Sequence, residues 1–582
     1  MESKLMQKPE MLPRHYTFMS IYRPKYPSFI GISLCLFVLL ACNNKSKKGD
    51  NFARTPQELQ RKATDLIQEL TGKAIANNGQ IVDSTVTLRQ IRIAKLLYEK
   101  TSFEPLWCKK EEWLIEGDSL FNFIESSQLF GLFPEDYHFS QLKTIRDKFI
   151  ADSLAKDDRK DAALWSQADL MLTDAFIQIV KDIKLGRLPQ DSITLRKDSV
   201  LSDVFYQQQF AMLKESGMAS VVKSLEPSHR GYHLLKAGIK KFLDSAEYKQ
   251  FATVPYPVKD IGKFNKALQK RLYEGGFIAY DSVSADSAQL AEAIKKFQKK
   301  KGIVVDGRAG EGTVRMLNVN DREKFIRVAI SMDKYKMLPE TMPSKYIWVN
   351  VSSNFLEVVD KDEIKLTSKV ICGKSKTRTP VLTSNITELI TYPQWVPPPS
   401  IVSKEILPAV KRNPGYLARK GFSLVDSKGN QVDPYSVNWS KYSKGIPYRI
   451  VQGSGDANAL GIMKFVFSNK YSVYLHDTNQ RYLFANAMRS LSHGCVRVQE
   501  WEKLANYILR NDSLNETSGG YTRIDSVKTW LQQKKKKSIA VRNKIPVYIR
   551  YITCEGRNGN IVFYDDVYAE DKFLREKYFA SK

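Results

Sequence analysis

The sequence has few cysteines, the residues whose disulfides stabilise small secreted domains, and its early apolar run is short. It has six cysteines in 582 residues. Two of them, Cys35 and Cys42, fall in an N-terminal segment, and the other four are too widely spaced for a disulfide framework. The early apolar run, Phe29–Ala41, has 13 residues and is too short to span a bilayer comfortably. These shortages argue against a disulfide scaffold and leave free thiols for chemistry.

The sequence also lacks a nucleic-acid-binding motif, although its net charge of +27 suggests such a partner. Lysine and arginine are scattered, and the main runs are 299–301 and 534–537. Runs of this kind are most often solvated faces. We therefore predict no nucleic-acid partner. A basic surface would equally suit an anionic cell-wall polymer.

The N-terminus has the pattern of a targeting segment. Arg14, Arg23 and Lys25 precede the apolar run, which ends in Leu39-Leu40-Ala41-Cys42. This ending resembles a bacterial lipobox, in which Cys42 becomes the lipidated first residue of the mature protein. An uncleaved anchor and an ordinary signal peptide are the alternatives. The polar residues 43–54 then form a tether.

One short stretch, Ser492–Arg497, carries the residues of a reactive site. Two of the six histidines, His476 and His493, lie within twenty residues before Cys495. A cysteine nucleophile needs a group that takes its proton or lowers its pKa, and an imidazole does this. The residues 464–468 and 471–475 read as strands joined by a tight turn at 469–470, so His476 ends a rigid strand.

The residues around Cys495 suggest further help for a thiolate. Apolar residues recur at helical spacing after it, which predicts a helix whose N-terminal dipole favours the charged sulfur. Gly494 allows a tight turn, and the N–H groups of Gly494 and Cys495 could line an oxyanion hole. Arg497 adds a positive charge for a substrate carboxylate.

Two other interpretations remain open from the residues alone. A cysteine is often a small buried hydrophobe, which is our expectation for Cys108, Cys372 and Cys554. Alternatively, His476, Asp477, His493 and Cys495 could form a zinc set, although His-x-Cys is not the usual Cys-x-x-Cys knuckle.

The motifs resemble those of a known enzyme family. His476-Asp477-Thr478 followed by Ser492-His493-Gly494-Cys495-Val496-Arg497 is similar to the signature of the L,D-transpeptidases with a YkuD-type catalytic domain. Upstream, Asn458–Gly461 and Lys464-Phe465 resemble the family's strand motif. Residues 105–107, 131–137 and 186–187 resemble the helical scaffold of the long, YcbB-like members, and Phe297-Gln298 with Asp306-Gly307 resemble a peptidoglycan-binding domain.

This resemblance implies a multidomain chain with an α-helical scaffold, a small three-helix peptidoglycan-binding domain and a mainly-β catalytic domain with a lid insertion. The expected divisions are a lipoprotein signal segment (1–42), a tether (43–54), the scaffold (55–255), the binding domain (256–320), a linking helix (321–343), the catalytic domain (344–512, lid 397–455) and a C-terminal hairpin and tail (513–582).

The resemblance also implies a function. Cys495 would attack a stem peptide of peptidoglycan, His476 would be the base in preference to His493, and Gly494 would belong to the oxyanion hole. Residues expected to bind substrate are Ser492, Arg497, Asp477 and Thr478. The product would be a 3-3 cross-link, carbapenems would acylate the thiol, and no metal or organic cofactor would be needed.

The expected location is the periplasmic side of a bacterial cell envelope, on a lipid anchor, with stem peptides and glycan as partners. An L,D-carboxypeptidase that uses water as acceptor, and a wall-binding lipoprotein with an inactive catalytic domain, stay open as alternatives.

Overall fold

The computed structural model describes residues 51–582 except 82–85, 110, 156–158, 190–199, 247–250, 280–285, 302 and 515–519. The predicted signal segment, its lipidation site Cys42 and most of the predicted tether lie outside the described residues. Within the described ranges, no helix is long and apolar enough to cross a bilayer.

The first region is helical, as predicted for the scaffold. Its central helix, α5 (Ala162–Lys184), is buried along nearly its whole length, and it carries Asp169 into the core. That carboxylate accepts the backbone N–H groups of Leu106 and Trp107, each at 2.9 Å, so its burial is compensated. The helices are α1 (Pro56–Ala76), α2 (Ile91–Glu99), α3 (Ile115–Glu125), α4 (Phe139–Leu154), α5 (Ala162–Lys184), α6 (Asp203–Leu225) and α7 (Arg230–Ser245), with 3₁₀ turns at Ser127–Phe130 and Pro134–Tyr137. Short strands are β1 (Phe52–Ala53), β2 (Cys108–Lys109), β3 (Glu112–Trp113) and β4 (Lys160–Asp161).

Three helices form the small second region around their own apolar core: α8 (Ile261–Glu274), α9 (Ser287–Lys301) and α10 (Glu311–Asn318). The buried amide of Gln298 ties α9 to the loop that follows it. It donates to Asp306 Oδ1 at 2.7 Å and Thr313 Oγ1 at 3.0 Å, and accepts from the Gly307 N–H at 2.9 Å. The motif residues that suggested this domain therefore hold its fold together.

Helix α11 (Asp321–Lys336) leads into the β-rich region. The strands that follow it are β5 (Lys345–Asn350), β6 (Phe355–Asp360), β7 (Glu363–Gly373) and β8 (Leu382–Thr391). They alternate apolar residues that face an inner core with residues that face outward.

The segment predicted to be a lid is a folded insertion with a small core of its own. Leu407, Leu417, Trp439 and Ile450 pack together in it, so it is a cap rather than a disordered loop. The helical stretch comprises α12 (Pro399–Ile401), a π-helical turn (Val402–Ile406) and α13 (Leu407–Arg412). The remaining elements are α14 (Tyr416–Arg419), a 3₁₀ turn (Trp439–Lys441) and a three-stranded sheet of β9 (Phe422–Val425), β10 (Gln431–Val432) and β11 (Arg449–Gln452).

The chain then returns to the main sheet and closes it. The pairing order is β12-β13-β15-β7-β6-β5-β17-β8, and β8 pairs again with β12. Strand β14 pairs with β7, and β16 with β8. The elements are β12 (Met463–Phe467), β13 (Leu475–His476), a 3₁₀ turn (Arg481–Ala485), β14 (Ser490–Ser492), β15 (Val496–Val498), α15 (Trp501–Leu514), α16 (Ile524–Gln532), β16 (Lys537–Ala540) and β17 (Pro546–Arg550).

Two predicted hairpins differ from the structure. The expected tight turn at 469–470 is a longer loop, because the Asn469 side chain accepts the N–H groups of Tyr471 and Val473, both at 3.0 Å. The C-terminal strands were expected to follow the catalytic domain as one hairpin. Instead β17 lies inside the sheet between β5 and β8, and β18 (Cys554–Arg557) pairs with β19 (Asn560–Phe563) as a separate hairpin before α17 (Glu570–Tyr578).

The separate hairpin joins the catalytic region to the scaffold through close backbone contact. A Cβ placed on Gly556 of β18 would lie 1.9 Å from the carbonyl oxygen of Leu234 in α7. Only glycine fits there, because α7 packs directly on the strand backbone.

We expect Gly556→Ala to destabilise the protein, because the methyl group would push α7 away from the hairpin. Overpacking of this kind costs about 1–3 kcal/mol. Thermal unfolding measures the effect. Gly72→Ala in α1 is the matched control, since no atom lies within 4 Å of its Cβ position and helical alanine is favoured. Equal melting temperatures for Gly556→Ala and the unchanged protein would contradict the packing argument.

Candidate active site

Parallel pairing of β13 with β15 brings the two halves of the motif together. Leu475 lies opposite Val496, and His476 opposite Arg497. Leu475 and Val496 both belong to the apolar interior of the sheet. Because side chains alternate along a strand, His476, Cys495 and Arg497 lie on the other face. The predicted nucleophile and base therefore share one surface, on adjacent strands.

The same surface carries two residues that the sequence interpretation did not assign to the site. Lys464 of β12 lies opposite His476. Its ammonium lies 3.9 Å from the ring centroid of Tyr474, and that ring lies 5.6 Å from the His476 ring. The signal was available in the sequence, because Tyr474 stands two positions before His476 on an extended segment and so shares its face.

His476 is buried and held in one orientation. Its Nδ1 contacts the backbone carbonyl of Asp477. A carbonyl only accepts, so Nδ1 carries the hydrogen and Nε2 is the unprotonated nitrogen. Burial lowers the pKa of His476 to about 3, with the nearby Arg497 adding to the effect. The ring is therefore neutral near pH 7, with a lone pair on Nε2 for a proton.

Cys495 is half-buried, and burial raises the pKa of its thiol above the usual value. The backbone N–H and the hydroxyl of Tyr474 lower the pKa, as do the charges of Lys464 and Arg497, but burial outweighs them. The thiol and the imidazole are thus both neutral at rest.

The expected helix dipole does not act directly on this sulfur. Strand β15 follows Cys495, and helix α15 begins only at Trp501. A helix terminus acts within about one turn, so the positive groups near the thiol are Lys464 and Arg497 instead.

A buried hydroxyl shapes the turn that carries Cys495. The Ser492 hydroxyl accepts the Gly494 N–H at 3.1 Å and donates to the Cys495 carbonyl at 2.6 Å. Gly494 has φ +122°, a conformation that favours glycine. Ser492 was predicted to bind substrate, yet it is buried and its hydroxyl bonds are made within the turn. The Gly494 N–H, predicted for the oxyanion hole, already has an acceptor there.

A second support for this turn comes from distant residues that the sequence interpretation missed. The Thr379 hydroxyl donates to the Gly494 carbonyl at 2.9 Å, and the Thr379 N–H donates to the Tyr568 hydroxyl at 3.0 Å. Tyr568 in turn donates to the Gly373 carbonyl at 2.8 Å. No spacing in the sequence links positions so far apart.

Asp477 and Thr478, predicted to bind substrate, are fully buried. The Asp477 carboxylate accepts Arg481 Nη2 at 2.6 Å and the Ile462 N–H at 3.0 Å, so its carbonyl rather than its carboxylate orients His476. Gly461 makes room for it, because a Cβ there would lie 2.2 Å from Asp477 Oδ2. This contact brings the two sequence motifs together in the fold.

Thr478 and Arg497 both form hydrogen bonds with Gln480. Gln480 donates its N–H to the Thr478 hydroxyl at 3.1 Å, and its side-chain oxygen accepts Arg497 Nη1 at 2.9 Å. Arg497 is half-buried beside Cys495, so its position suits the predicted contact with a substrate carboxylate.

The side chain of His493 contacts the cap. It is exposed, and its Nε2 lies 2.5 Å from Glu405 Oε1 in the π-helical turn. The four residues of the alternative zinc set therefore do not converge, since the Asp477 carboxylate binds Arg481 and His493 faces Glu405.

Comparison with known families matches three parts of the chain. Residues 344–549 match "L,D-transpeptidase catalytic domain". Residues 93–238 match "Scaffold domain", and residues 262–317 match "Putative peptidoglycan binding domain". The first match contains the 476–478 and 492–497 motifs, together with Lys464 and Tyr474.

Residues 344–549 are an L,D-transpeptidase catalytic domain.

A curated relative agrees with this assignment. A Haemophilus influenzae protein named "Putative L,D-transpeptidase" is 34% identical over 246 residues, which are 42% of this chain and 48% of the relative. The match thus spans about half the length of that relative.

Solved L,D-transpeptidases are more distant. One from Mycobacterium smegmatis is 12% identical, with a TM-score of 0.17, 36% of this chain and 58% of that chain covered. One from Stackebrandtia nassauensis is 16% identical, with a TM-score of 0.15, 53% of this chain and 100% of that chain covered.

We expect Lys464→Met to slow alkylation of Cys495 in this L,D-transpeptidase domain. Removing the ammonium raises the pKa of the thiol and lowers the thiolate fraction at pH 8. We expect the alkylation rate to fall about twofold to tenfold, which corresponds to a rise of up to about one unit in the pKa of the Cys495 thiol. Iodoacetamide labelling followed by peptide mass spectrometry gives the rate at Cys495, because the other described cysteines are buried. In every variant the rate should keep rising with pH beyond 8.

Lys470→Met is the control, since this lysine lies in the adjacent loop and contacts Tyr471. If both variants react as fast as the unchanged protein, Lys464 does not act on the thiol.

Proposed function

We propose that this protein is a peptidoglycan L,D-transpeptidase that joins stem peptides through a thioester on Cys495. The arrangement of His476 carries the proposal. A buried neutral imidazole, fixed through Nδ1 to a carbonyl, shares one face of adjacent strands with a half-buried thiol. Enzymes that use a nucleophile and an oriented base need this combination.

The first half of the reaction forms the acyl-enzyme. Cys495 Sγ attacks the amide carbonyl carbon of a donor stem, and its proton moves to His476 Nε2. The C–N bond then breaks, and the same proton passes to the departing amine. Because both groups are neutral at rest, the ion pair forms only as the reaction proceeds. Lys464 and Arg497 stabilise the negative charge that develops near the sulfur.

The second half transfers the acyl group. The amine of an acceptor stem attacks the thioester carbon, His476 takes one proton from it, and the sulfur leaves. The sulfur regains a proton from His476, which restores the starting state. Water in place of the amine would give an L,D-carboxypeptidase. The family resemblance favours transfer, a 3-3 cross-link, and acylation of Cys495 by carbapenems.

The other residues of the motif hold the reacting groups or the substrate in place and do not react themselves. Ser492, Asp477 and Thr478 are buried in the frame that holds the thiol and the imidazole, whereas the half-buried Arg497 would contact a substrate carboxylate. For the oxyanion we propose the Cys495 N–H, joined by the Gly494 N–H once it leaves the Ser492 hydroxyl. His493 contributes to docking of the cap.

The cellular setting belongs to the same proposal. Lipidation at Cys42 would attach the protein to a membrane on the periplasmic side of the envelope. The charge of +27 suits the anionic wall polymer. The peptidoglycan-binding domain at 262–317 would supply a second contact with the wall.

We expect Cys495→Ala to abolish cross-linking of purified stem peptides while leaving the melting temperature within about 1 °C, because the change removes only a half-buried sulfur and keeps the Cβ. Muropeptide analysis by liquid chromatography and mass spectrometry measures the dimers. Cys372→Ala is a control at a buried cysteine and should retain activity. Dimers formed by the Cys495 variant would end the mechanism, and trimmed monomers from the unchanged protein would support the carboxypeptidase instead.

We expect His476→Ala to lose at least about a thousandfold in kcat, in the range of a lost general base with its positioning. His493→Ala should lose no more than about tenfold, because its Nε2 meets Glu405 and not the sulfur. Steady-state rates with a fixed donor separate the two. If His493→Ala were the more damaging change, the assignment of the base would be reversed.

A further inference from the structure

The peptide unit that joins Gly494 to Cys495 is held at its carbonyl group. The Thr379 hydroxyl donates to the Gly494 carbonyl oxygen at 2.9 Å. A trans peptide unit is planar, and its C=O and N–H groups point in opposite directions. The hydrogen bond from Thr379 therefore also fixes the direction of the Cys495 N–H, which points away from Thr379.

The Cys495 N–H is free to bind a substrate. Among the residues that the structure describes, none accepts a hydrogen bond from it, whereas the Gly494 N–H donates to the Ser492 hydroxyl at 3.1 Å. Backbone N–H groups are strong donors that are usually paired in folded proteins. A free N–H on the nucleophilic residue is suited to the oxygen on which negative charge develops during attack by the sulfur.

Glycine at position 494 makes a support for this peptide unit necessary. Gly494 has φ +122°, and without a Cβ its backbone can rotate over a wide range. On the other side of the reactive residue, the Cys495 carbonyl accepts the Ser492 hydroxyl at 2.6 Å. Two side-chain hydroxyls, from Thr379 and Ser492, thus fix the backbone before and after Cys495.

The Thr379 hydroxyl has one place for its hydrogen. It accepts the Gly373 N–H at 2.8 Å, so its single hydrogen goes to the Gly494 carbonyl. Thr379 is only 2% exposed, so water does not compete for this bond. The donor that orients the peptide unit is therefore itself held in one orientation.

Tyr568 fixes the backbone of Thr379. Its hydroxyl accepts the Thr379 N–H at 3.0 Å and donates to the Gly373 carbonyl at 2.8 Å, which joins the two ends of the loop 373–379. The Tyr568 ring stacks on Tyr551 at 5.0 Å between centroids, and the Tyr551 hydroxyl accepts the Tyr568 N–H at 2.9 Å. Burial raises the pKa of Tyr568 to about 12, so the hydroxyl keeps its hydrogen near neutral pH.

The same loop also holds the start of the turn that carries Cys495. The Ser492 carbonyl accepts the Lys374 N–H and the Thr377 hydroxyl, both at 3.0 Å. These two bonds do not involve Thr379 or Tyr568. Loss of the Thr379 hydroxyl would therefore leave the turn in place and free only the peptide unit between Gly494 and Cys495.

We propose that Thr379 and Tyr568 are positioning residues that direct the Cys495 N–H toward the oxyanion of the substrate. Thr379 acts on the peptide unit, and Tyr568 acts through Thr379. Tyr568 lies beyond residue 549, where the match to the catalytic domain ends, so the C-terminal segment completes the site. This role rests on the proposed function, because an acyl transfer is the step that needs an oxyanion donor.

Two reactions of the same sulfur test this role in the full chain. In acylation by p-nitrophenyl acetate the thiol loses its proton, the sulfur bonds to the acetyl carbon and p-nitrophenolate leaves, and negative charge develops on the carbonyl oxygen. Alkylation by iodoacetamide displaces iodide from a CH₂ carbon, so it needs the thiolate but no oxyanion donor. Release of p-nitrophenolate, with the Cys495→Ala background subtracted, measures the first reaction. Peptide mass spectrometry at Cys495 measures the second.

We expect Thr379→Val to slow acylation about tenfold to hundredfold, less than the loss of a whole oxyanion donor, because the N–H is still present but no longer held in direction. The alkylation rate and its pH profile should change by less than about twofold, since the thiol keeps its surroundings. Thr379→Ser keeps the hydroxyl and should restore most of the acylation rate.

Thr391→Val is the matched control for a lost buried hydroxyl. The Thr391 hydroxyl likewise donates to a carbonyl, that of Lys535 at 2.7 Å, and accepts an N–H, that of Lys537 at 3.0 Å. It is fully buried and lies on β8, three strands from β15. This variant loses the same kinds of bond as Thr379→Val and should keep both rates.

Tyr568→Phe repeats the test with the stacked ring left in place, and it decides the question if Thr379→Val does not fold. We expect acylation to fall about threefold to tenfold with alkylation unchanged, because Tyr568 acts only through Thr379. Tyr564→Phe in the same C-terminal segment is its control, since the Tyr564 hydroxyl donates to Glu555 Oε2 at 2.9 Å.

Unchanged acylation in Thr379→Val and Tyr568→Phe would overturn the positioning role. An equal fall in acylation and alkylation would also overturn it, because the variants would then act on the thiol or on the fold. With stem peptides, Thr379→Val should lower kcat and leave KM within about twofold. A selective loss of ester acylation in a chain that forms no stem-peptide dimers would refute the transpeptidase and not the positioning role. Dimers formed by Thr379→Val at the unchanged rate would refute the positioning role and not the transpeptidase.

Discussion

The pairing of β13 with β15 is the interaction on which the site depends. Each strand is short, Leu475–His476 against Val496–Val498, and neither would hold its place alone. The apolar side chains of Leu475 and Val496 anchor both strands in the core of the closed sheet. Alternation then puts the imidazole and the thiol on the opposite surface. The chemistry is thus positioned by burial of its neighbours.

Burial has a second effect, since it sets the protonation states. It raises the pKa of Cys495 and lowers the pKa of His476, so both groups are neutral at rest. This arrangement differs from a preformed thiolate–imidazolium pair. A neutral thiol is less open to oxidation than a thiolate, so the resting state protects the sulfur. The positive charges of Lys464 and Arg497 act when charge develops.

Much of this architecture could be predicted from sequence. Cys495 and His476 could be singled out from motif and spacing, and the helical scaffold, the three-helix domain and the β-rich domain from the family resemblance. Thr379 and Tyr568 were not recognisable as partners of the thiol-bearing turn, because their contact exists only after the sheet closes. The π-helical turn that brings Glu405 to His493 was also beyond prediction, since it depends on the fold of the cap.

The packing of α7 against β18 has a consequence for how the chain acquires its structure. Tyr232 and Leu235 of α7 share a core with Cys554, more than 300 positions later. During synthesis, the apolar side of α7 therefore stays exposed until the C-terminal hairpin has been made. Contacts of such long range slow folding and leave surfaces open to aggregation meanwhile. A chain that is released whole before it folds would meet both partners at once.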